Sequence, residues 1–414
     1  MQADLLIHSA AQVITVASPG GPKRGAAMRE LGIIPDGAVA VRDGRILDVG
    51  PSAELRSQVR AAKSLSAGGH LILPGFVDPH THLVWAGERS GEFEMRVGGA
   101  TYMEIMAAGG GIMNTVRQTR AASLDELVRQ TRPRLERMLA YGTTTVEVKS
   151  GYGLNTRQEL KQLAAIRRLQ AESPATLVAT FLGAHAIPAE YRGREDAYVD
   201  LVVDEMLPAV AALARPPAFC DVFCEDGAFT LDQSRRILEA ARSHGFGLKI
   251  HVDEFQALGG TSLAVELGAT SADHLVCTPQ EEVERLARSG TIAVALPGTP
   301  FGLGHHDYTP ARALVDAGGA LALATDCNPG TSWCENMQFM IALACRYMKL
   351  SPAEAISAAT INAAHALGLG DEVGSLEPGK RADLTLYKIP SHQHLGYRFG
   401  TNMVEAVIAG GQML

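Results

Sequence analysis

One pattern recurs along the chain: a capped helix, a glycine that stops it, then a short run of apolar residues. Ser123-Leu-Asp-Glu126 reads as a capping box that opens a helix to Tyr141-Gly142, kinked at Pro133, and the run Thr143 to Val148 follows. Thr156 with Glu159 opens a helix carrying Leu160, Leu163, Ile166 and Leu169, before the run Thr176 to Leu182. Thr278-Pro279 with Glu281 starts another, stopped near Gly290 ahead of Thr291 to Leu296. Thr309-Pro310 starts one more, stopped near Gly318 ahead of Gly319 to Thr325. A side-chain oxygen at the start satisfies a free backbone N–H, proline there sacrifices no bond, and glycine takes the left-handed turn at the end. Short apolar runs alternating with longer helices predict βα units on a parallel sheet. About eight such units fit between residues 70 and 350, so the expected fold is α/β, a (β/α)8 barrel of TIM type.

The two ends follow a different rhythm. Residues 36–49 alternate apolar and polar around an Asp43-Gly44 hairpin turn. Residues 374–414 again suggest short strands, with turns at Pro378-Gly379 and Gly410-Gly411. The last strong helix, Ser351-Pro352-Ala-Glu354 to Leu367, closes before them. The expectation is a barrel domain at 70–369 and a small β-sandwich made jointly by residues 1–69 and 370–414.

Composition narrows the function. The 414 residues are 46% hydrophobic and 20% charged, enough apolar material for a large core. Lys plus Arg is 37 against 45 Asp plus Glu, a net charge of −8, which speaks against nucleic acid held by a basic face. Six cysteines (220, 224, 277, 327, 334 and 345) have neither zinc-ribbon spacing nor the density of a disulfide framework, so buried reduced thiols are expected. No signal peptide is read at the N-terminus, and no apolar run nears the ~20 residues of a membrane span. A soluble, cytoplasmic protein is expected.

The candidate chemistry sits where apolar runs end. Pro79-His80-Thr81-His82 follows the run Leu71 to Val77, and alternate residues of a strand point to one face, so both imidazoles can reach one ion. A lone H-x-H is weak; a pair of surface histidines would read the same. His251 ends Gly247-Leu-Lys-Ile-His251, His274 ends the run through Ser271, and Asp326 ends Ala320-Leu-Ala-Leu-Ala-Thr-Asp326. Each alone fits a satisfied core or capping residue. Together, at the C-terminal mouth of a barrel, they point to a metal centre. Three or four nitrogens with one carboxylate suit zinc or iron and exclude a calcium-type oxygen cage. An open position there makes a bound water with a pKa near ~7, a source of hydroxide at neutral pH.

The order His-x-His, His, His, Asp resembles the amidohydrolase superfamily. Within it, six stretches resemble the imidazolonepropionase family: Glu92-Phe-Glu-Met-Arg96, Ala108-Gly-Gly-Gly-Ile112, Glu147-Val-Lys-Ser-Gly-Tyr-Gly153, Phe181-Leu-Gly-Ala-His-Ala186, Ser271-Ala-Asp-His-Leu275 and Ala324-Thr-Asp-Cys-Asn-Pro-Gly330. The similarity is loosest over residues 1–35. It implies hydrolysis of the ring amide of 4-imidazolone-5-propanoate to N-formimidoyl-L-glutamate in histidine degradation. It further implies one divalent ion, zinc or iron, on His80, His82, His251 and Asp326. Substrate contacts would come from Arg89, Tyr152, His185, Glu254, Asn328, Gly330 and Thr331. A homodimer is expected on the same ground.

Such a reaction needs a nucleophile, a polarised carbonyl and a proton for the leaving ring nitrogen. His274, outside the ligand set, suits the developing oxyanion or the water proton, and Glu254, in His251-x-x-Glu254, suits the leaving nitrogen; Asp326 shares in proton shuttling. Arg89 is the counter-charge for the propanoate, although a surface arginine would read the same. Gly151 and Gly153 free the backbone around Tyr152, and Gly109-Gly110-Gly111 is either a donor of backbone N–H groups or a plain turn. Lys149 ends a strand where binuclear relatives use a carbamylated lysine; here a salt-bridged or pocket-wall lysine is expected. His305, His306, His392 and His394 fall in polar loops and are expected to be solvated. Two other readings are a nucleobase deaminase of the cytosine or guanine type, against which Arg89 argues, and a non-catalytic metal-binding barrel.

Overall fold

The computed structural model describes residues 1–18, 20–101, 104 and 108–414. Five strands precede the barrel: β1 (Gln2–Ile14), β2 (Ile33–Arg42), β3 (Arg45–Pro51), β4 (Arg60–Ser66) and β5 (Leu71–Pro74). The barrel strands are β6 (Phe76–Asp78), β7 (Thr143–Lys149), β8 (Thr176–Ala184), β9 (Phe219–Cys224), β10 (Gly247–Val252), β11 (Ser271–His274), β12 (Ile292–Ala295) and β13 (Leu321–Leu323). Three more follow: β14 (Leu384–Tyr387), β15 (Val404–Ala409) and β16 (Gln412–Met413).

Strands β6 to β13 pair in chain order, all parallel. The ring closes between its first and last strands. Thr325 N–H donates to Asp78 Oδ1 at 3.1 Å, Asp326 N–H to the His80 carbonyl at 3.1 Å, and His82 N–H to the Cys327 carbonyl at 3.0 Å. That seam is where the His-x-His pair and the candidate aspartate come side by side.

The terminal strands form one mixed sheet in the order β16-β15-β14-β5-β1-β2-β3, with β4 on the other half of β1. Its buried Ile7, Val39, Ile46, Leu384 and Ile408 share a core, so both ends of the chain are welded together. The Asp43-Gly44 turn has positive φ at both residues (51° and 73°), the backbone that lets a two-residue hairpin match strand twist.

Two elements depart from expectation. The run Leu71 to Val77 is not one strand: β5 joins the terminal sheet and β6 the barrel, with Gly75 between them. A Cβ on Gly75 would lie 2.2 Å from Thr144 Oγ1, so only glycine lets the two sheets part this closely. The helix expected from Ser351 to Leu367 is two, Pro352–Ala358 and Ile361–His365. Its break has a cause: the Ala359 carbonyl accepts from Val77 N–H of β6 at 3.0 Å, so it serves the barrel and not the helix. Full capping boxes stand at Ser351/Glu354 and Thr230/Gln233, whereas Ser123 caps alone and Glu126 turns to Arg129 and Gln130. The helix Leu124–Ala140 continues through Pro133, and Asn155 caps the helix that begins at Thr156.

Among the described residues no helix is long and apolar enough to cross a membrane. All six cysteines are free; three are buried, but Cys277 is exposed. His305 and His306 are exposed, while His392 and His394 are half-buried, against the expectation for that pair.

Candidate active site

His80, His82, His251, His274 and Asp326 meet at the C-terminal mouth, each at most 3% exposed. Lys249 and His251 lie two apart on β10, which points both into the barrel. Asp273 and His274 are adjacent and should alternate, yet both reach the site. His274 has φ 81°, and this left-handed turn breaks the alternation. Asp326, with φ 52°, is held in the same way. Such conformations cost of order 1–3 kcal/mol each and persist where the surroundings enforce them.

The donor atoms fit a metal ion. Asp273 Oδ2 lies 2.6 Å from His80 Nδ1 and fixes the ring proton there, leaving the His80 Nε2 lone pair without a partner. That lone pair faces Asp326 Oδ1, also unpartnered, at 3.5 Å. The same oxygen is 3.5 Å from His82 Nε2, which is 3.3 Å from His251 Nε2. Two acceptors facing each other in a dry site need a cation between them. Ligand bonds of about 2.0–2.1 Å to zinc put tetrahedral donors about 3.3–3.4 Å apart, close to these spacings. His80, His82 and His251 form one such cluster, and His80, His274 and Asp326 a second.

Burial sets the protonation states. It drives His80, His82 and His274 well below the ordinary imidazole range, so they are neutral with lone pairs available. Burial also raises Asp326 to about 6, against a hydrogen bond from Thr299 Oγ1 at 2.5 Å. Glu254, its side chain 9% exposed, is pushed well above the carboxylate range by burial and then by Asp326 and Glu225. Its Oε2 lies 3.6 Å from His274 Nε2.

The expected substrate residues line the same mouth. His185 stacks on His82 (4.7 Å between centroids, 15°), and its Nδ1 is 3.0 Å from the Gly151 carbonyl. Tyr152 packs 5.2 Å from His185, on a loop clasped by Glu159, which accepts from the N–H groups of Gly151, Gly153 and Leu154. Arg89 pairs with Glu92, Nε and Nη2 both 2.8 Å from Oε2. Gly111 N–H donates to that same Glu92 oxygen, so one glycine N–H of the 109–111 turn is already engaged. Asn328 spends its amide on its own loop: Oδ1 accepts from Gly330 and Thr331 N–H, and Nδ2 donates to the Asp326 carbonyl and Thr331 Oγ1. It shapes the loop that presents Gly330 to Arg89.

Lys149 is fully buried between Glu147 (2.8 Å) and Asp221 (2.7 Å). Burial alone would lower its pKa, but these carboxylates overrule it and hold it above its ordinary value. The amine is therefore an ammonium, unsuited to carbamylation. Glu147, Asp221, Lys249 and Asp273, all buried beneath the imidazoles, have no role predicted from the sequence, although Glu147 and Asp273 fall in the stretches that carry the resemblance. The signal was present: charged residues at inward positions of strands that are otherwise apolar.

A model described as "Amidohydrolase family" matches residues 71–414, and one described as "Imidazolonepropionase-like composite domain, bacteria" matches residues 37–58. The imidazolonepropionase of Herpetosiphon aurantiacus is 56% identical over 418 residues, covering 100% of this chain and 97% of the relative. That of Symbiobacterium thermophilum is 51% identical, covering 99% and 97%. Among solved structures, atrazine chlorohydrolase from Arthrobacter aurescens complexed with zinc superimposes with TM-score 0.75 at 19% identity, over 99% of this chain and 95% of that one. Escherichia coli guanine deaminase gives 0.73 at 16% identity, over 99% and 98%. Those two likenesses show the fold. With the full-length relatives above half identity, and with the His-x-His, His and Asp donors converging in the barrel mouth, the chain belongs to the imidazolonepropionase family of amidohydrolases.

Proposed function

We propose that the chain hydrolyses the ring amide of 4-imidazolone-5-propanoate to N-formimidoyl-L-glutamate, using one divalent ion, zinc or iron, on His80, His82, His251 and Asp326. The observation that carries this reading is the 3.3–3.5 Å spacing of the His80, His82, His251 and Asp326 donor atoms in a buried mouth, with His80 Nε2 and Asp326 Oδ1 unpartnered. When bound there, such an ion lowers the pKa of a water and polarises a carbonyl.

The remaining steps belong to side chains. His274, neutral and with Nδ1 unpartnered, takes the proton of the attacking water. Glu254, whose burial favours the protonated form, gives its proton to the ring nitrogen as the C–N bond breaks. His274 Nε2 and Glu254 Oε2 lie 3.6 Å apart, so the proton returns across the pair through one water or after the pair closes to hydrogen-bond distance. Asp326 is a ligand first and a secondary proton acceptor. Arg89 holds the propanoate, with Gly330 and Thr331 alongside; Tyr152 and His185 wall the ring. The reading extends to a cytoplasmic homodimer, and to a barrel domain beside a terminal domain of 1–74 and 370–414, its boundary moved from residue 69 because β5 pairs in the terminal sheet.

Turnover of imidazolone propanoate beside cytosine and guanine tests the proposal. Formimidoylglutamate should form, with no ammonia from either nucleobase. Deamination without imidazolone turnover would overturn it.

A further inference from the structure

Beneath the imidazoles, inside the barrel, lie five charged side chains with no exposure: Glu147 and Lys149 on β7, Asp221 on β9, Lys249 on β10 and Asp273 on β11. None belongs to the ligand or substrate sets above. They form one chain. Glu147 binds Lys149 at 2.8 Å and Lys249 at 3.0 Å, and it accepts from Thr180 Oγ1 at 2.5 Å. Lys149 Nζ then lies 2.7 Å from Asp221 Oδ2 and 3.8 Å from Asp273 Oδ2. The same two oxygens face the ligands: Asp273 Oδ2 is 2.6 Å from His80 Nδ1, and Asp221 Oδ2 is 3.0 Å from His251 Nδ1. One ammonium thus touches both carboxylates that orient two metal-binding imidazoles. Three carboxylates against two lysines also leave this chain one excess buried negative charge, before Asp326 or the buried Asp78 of β6 is counted, for a cation to offset.

We propose that Lys149 is a positioning residue of the metal centre: it pins Asp221 and Asp273, and through them fixes the orientation of His251 and His80. The proposal rests on the metal-site reading above. Two roles for the same charge predict opposite results. As a mere nearby positive charge, Lys149 repels a cation, and its removal should tighten binding. As a pin, it keeps both aspartates from turning away, and its removal should weaken binding. Loss of an outer partner of a metal-bound histidine typically costs 10–100-fold in affinity.

The test uses the full chain, with zinc affinity read by competition against a chromogenic chelator. Visible absorption of the cobalt-substituted protein reports the ligand arrangement. Lys149→Met should weaken zinc binding by about 10–100-fold and shift the cobalt bands. Asp273→Asn should do the same, and the double variant should lose less than the sum of the two single losses, since the part of the Lys149 effect that runs through Asp273 is then already gone. A role in fold stability alone would lower the melting temperature and leave affinity and cobalt spectrum unchanged. That result, tighter binding, or additive losses would each overturn the proposal. Should Lys149→Met fail to fold, Asp273→Asn and Asp221→Asn preserve shape and decide the matter, and unchanged affinity in both overturns it. Wild type that binds no zinc overturns the metal site itself; wild type that binds normally beside unaffected variants overturns only the role of Lys149.

Discussion

Arg89→Ala removes the guanidinium that the proposed chemistry assigns to the propanoate. Two of its nitrogens are already committed to Glu92 at 2.8 Å, so the side chain is held before substrate arrives. Its Nη1 edge faces Gly330, where a Cβ would lie only 2.3 Å away. A hydrogen bond to a charged group is worth about 1.5–3 kcal/mol, which is about 10- to 150-fold in kcat/KM. Because the contact exists before the transition state, the loss should fall mainly on KM, with a smaller fall in kcat from misplacement of the ring. Lysine at position 89 should recover only part, since a point charge cannot reproduce the fork. Gly330→Ala approaches the same contact from the other side: it should displace the guanidinium and raise KM while Arg89 is still present. The decisive assay measures kcat/KM for wild type and Arg89→Ala, each with the propanoate substrate and with an imidazolone lacking the carboxylate. The truncated substrate should be poor and nearly indifferent to the mutation. If the two losses simply add, the guanidinium and the carboxylate do not meet, and the substrate assignment loses its electrostatic support.

Chelation should abolish activity, and one equivalent of divalent metal per chain should restore it; two equivalents by elemental analysis, or full activity in metal-free protein, would contradict the single site. Glu254→Gln and His274→Ala should each keep the metal and lose about 10²–10⁴-fold in turnover; loss of metal in either would place that residue among the ligands. Glu254 must be protonated to donate, so activity should fall as pH rises through its raised pKa. Glu225 is one of the charges that raise it, so Glu225→Gln should move that alkaline limb of kcat/KM to lower pH; an unmoved limb would mean another group sets it.

Legibility followed locality. His80, His82, His251, His274 and Asp326 were readable because each ends an apolar run, and parallel strands deliver such ends to one mouth. The two helices at 352–365 were not readable as two, because the break is dictated by a hydrogen bond from Val77, nearly three hundred residues away. The split of the 71–78 run was hidden for the same reason: both halves are apolar, and only their distant partners differ. The charged layer under the imidazoles was visible as Glu147 and Lys149 alternating with Val146 and Val148. Pairing three carboxylates with two lysines across four strands, however, requires the register. Roles drawn from resemblance were sharpened most at Asn328, whose amide turns out to be occupied by its own loop.

The split at Gly75 has a consequence for the order in which this molecule can be made. β5 lies between β1 and β14, and the Gly75 N–H is bound to the Asp383 carbonyl at 2.9 Å. The strand that leads directly to His80 is therefore seated by residues that follow it by about three hundred positions in the chain. Until they emerge, β5 has one open edge, and the first barrel strand lacks the Ala359 carbonyl that receives Val77. An exposed edge beside apolar residues invites mispairing, so the nascent chain is in danger for as long as β14 has not yet been made. Maturation of the histidine cluster therefore waits on β14 and Asp383, and a change that unseats β14 would act at the barrel mouth although β14 pairs in the terminal sheet.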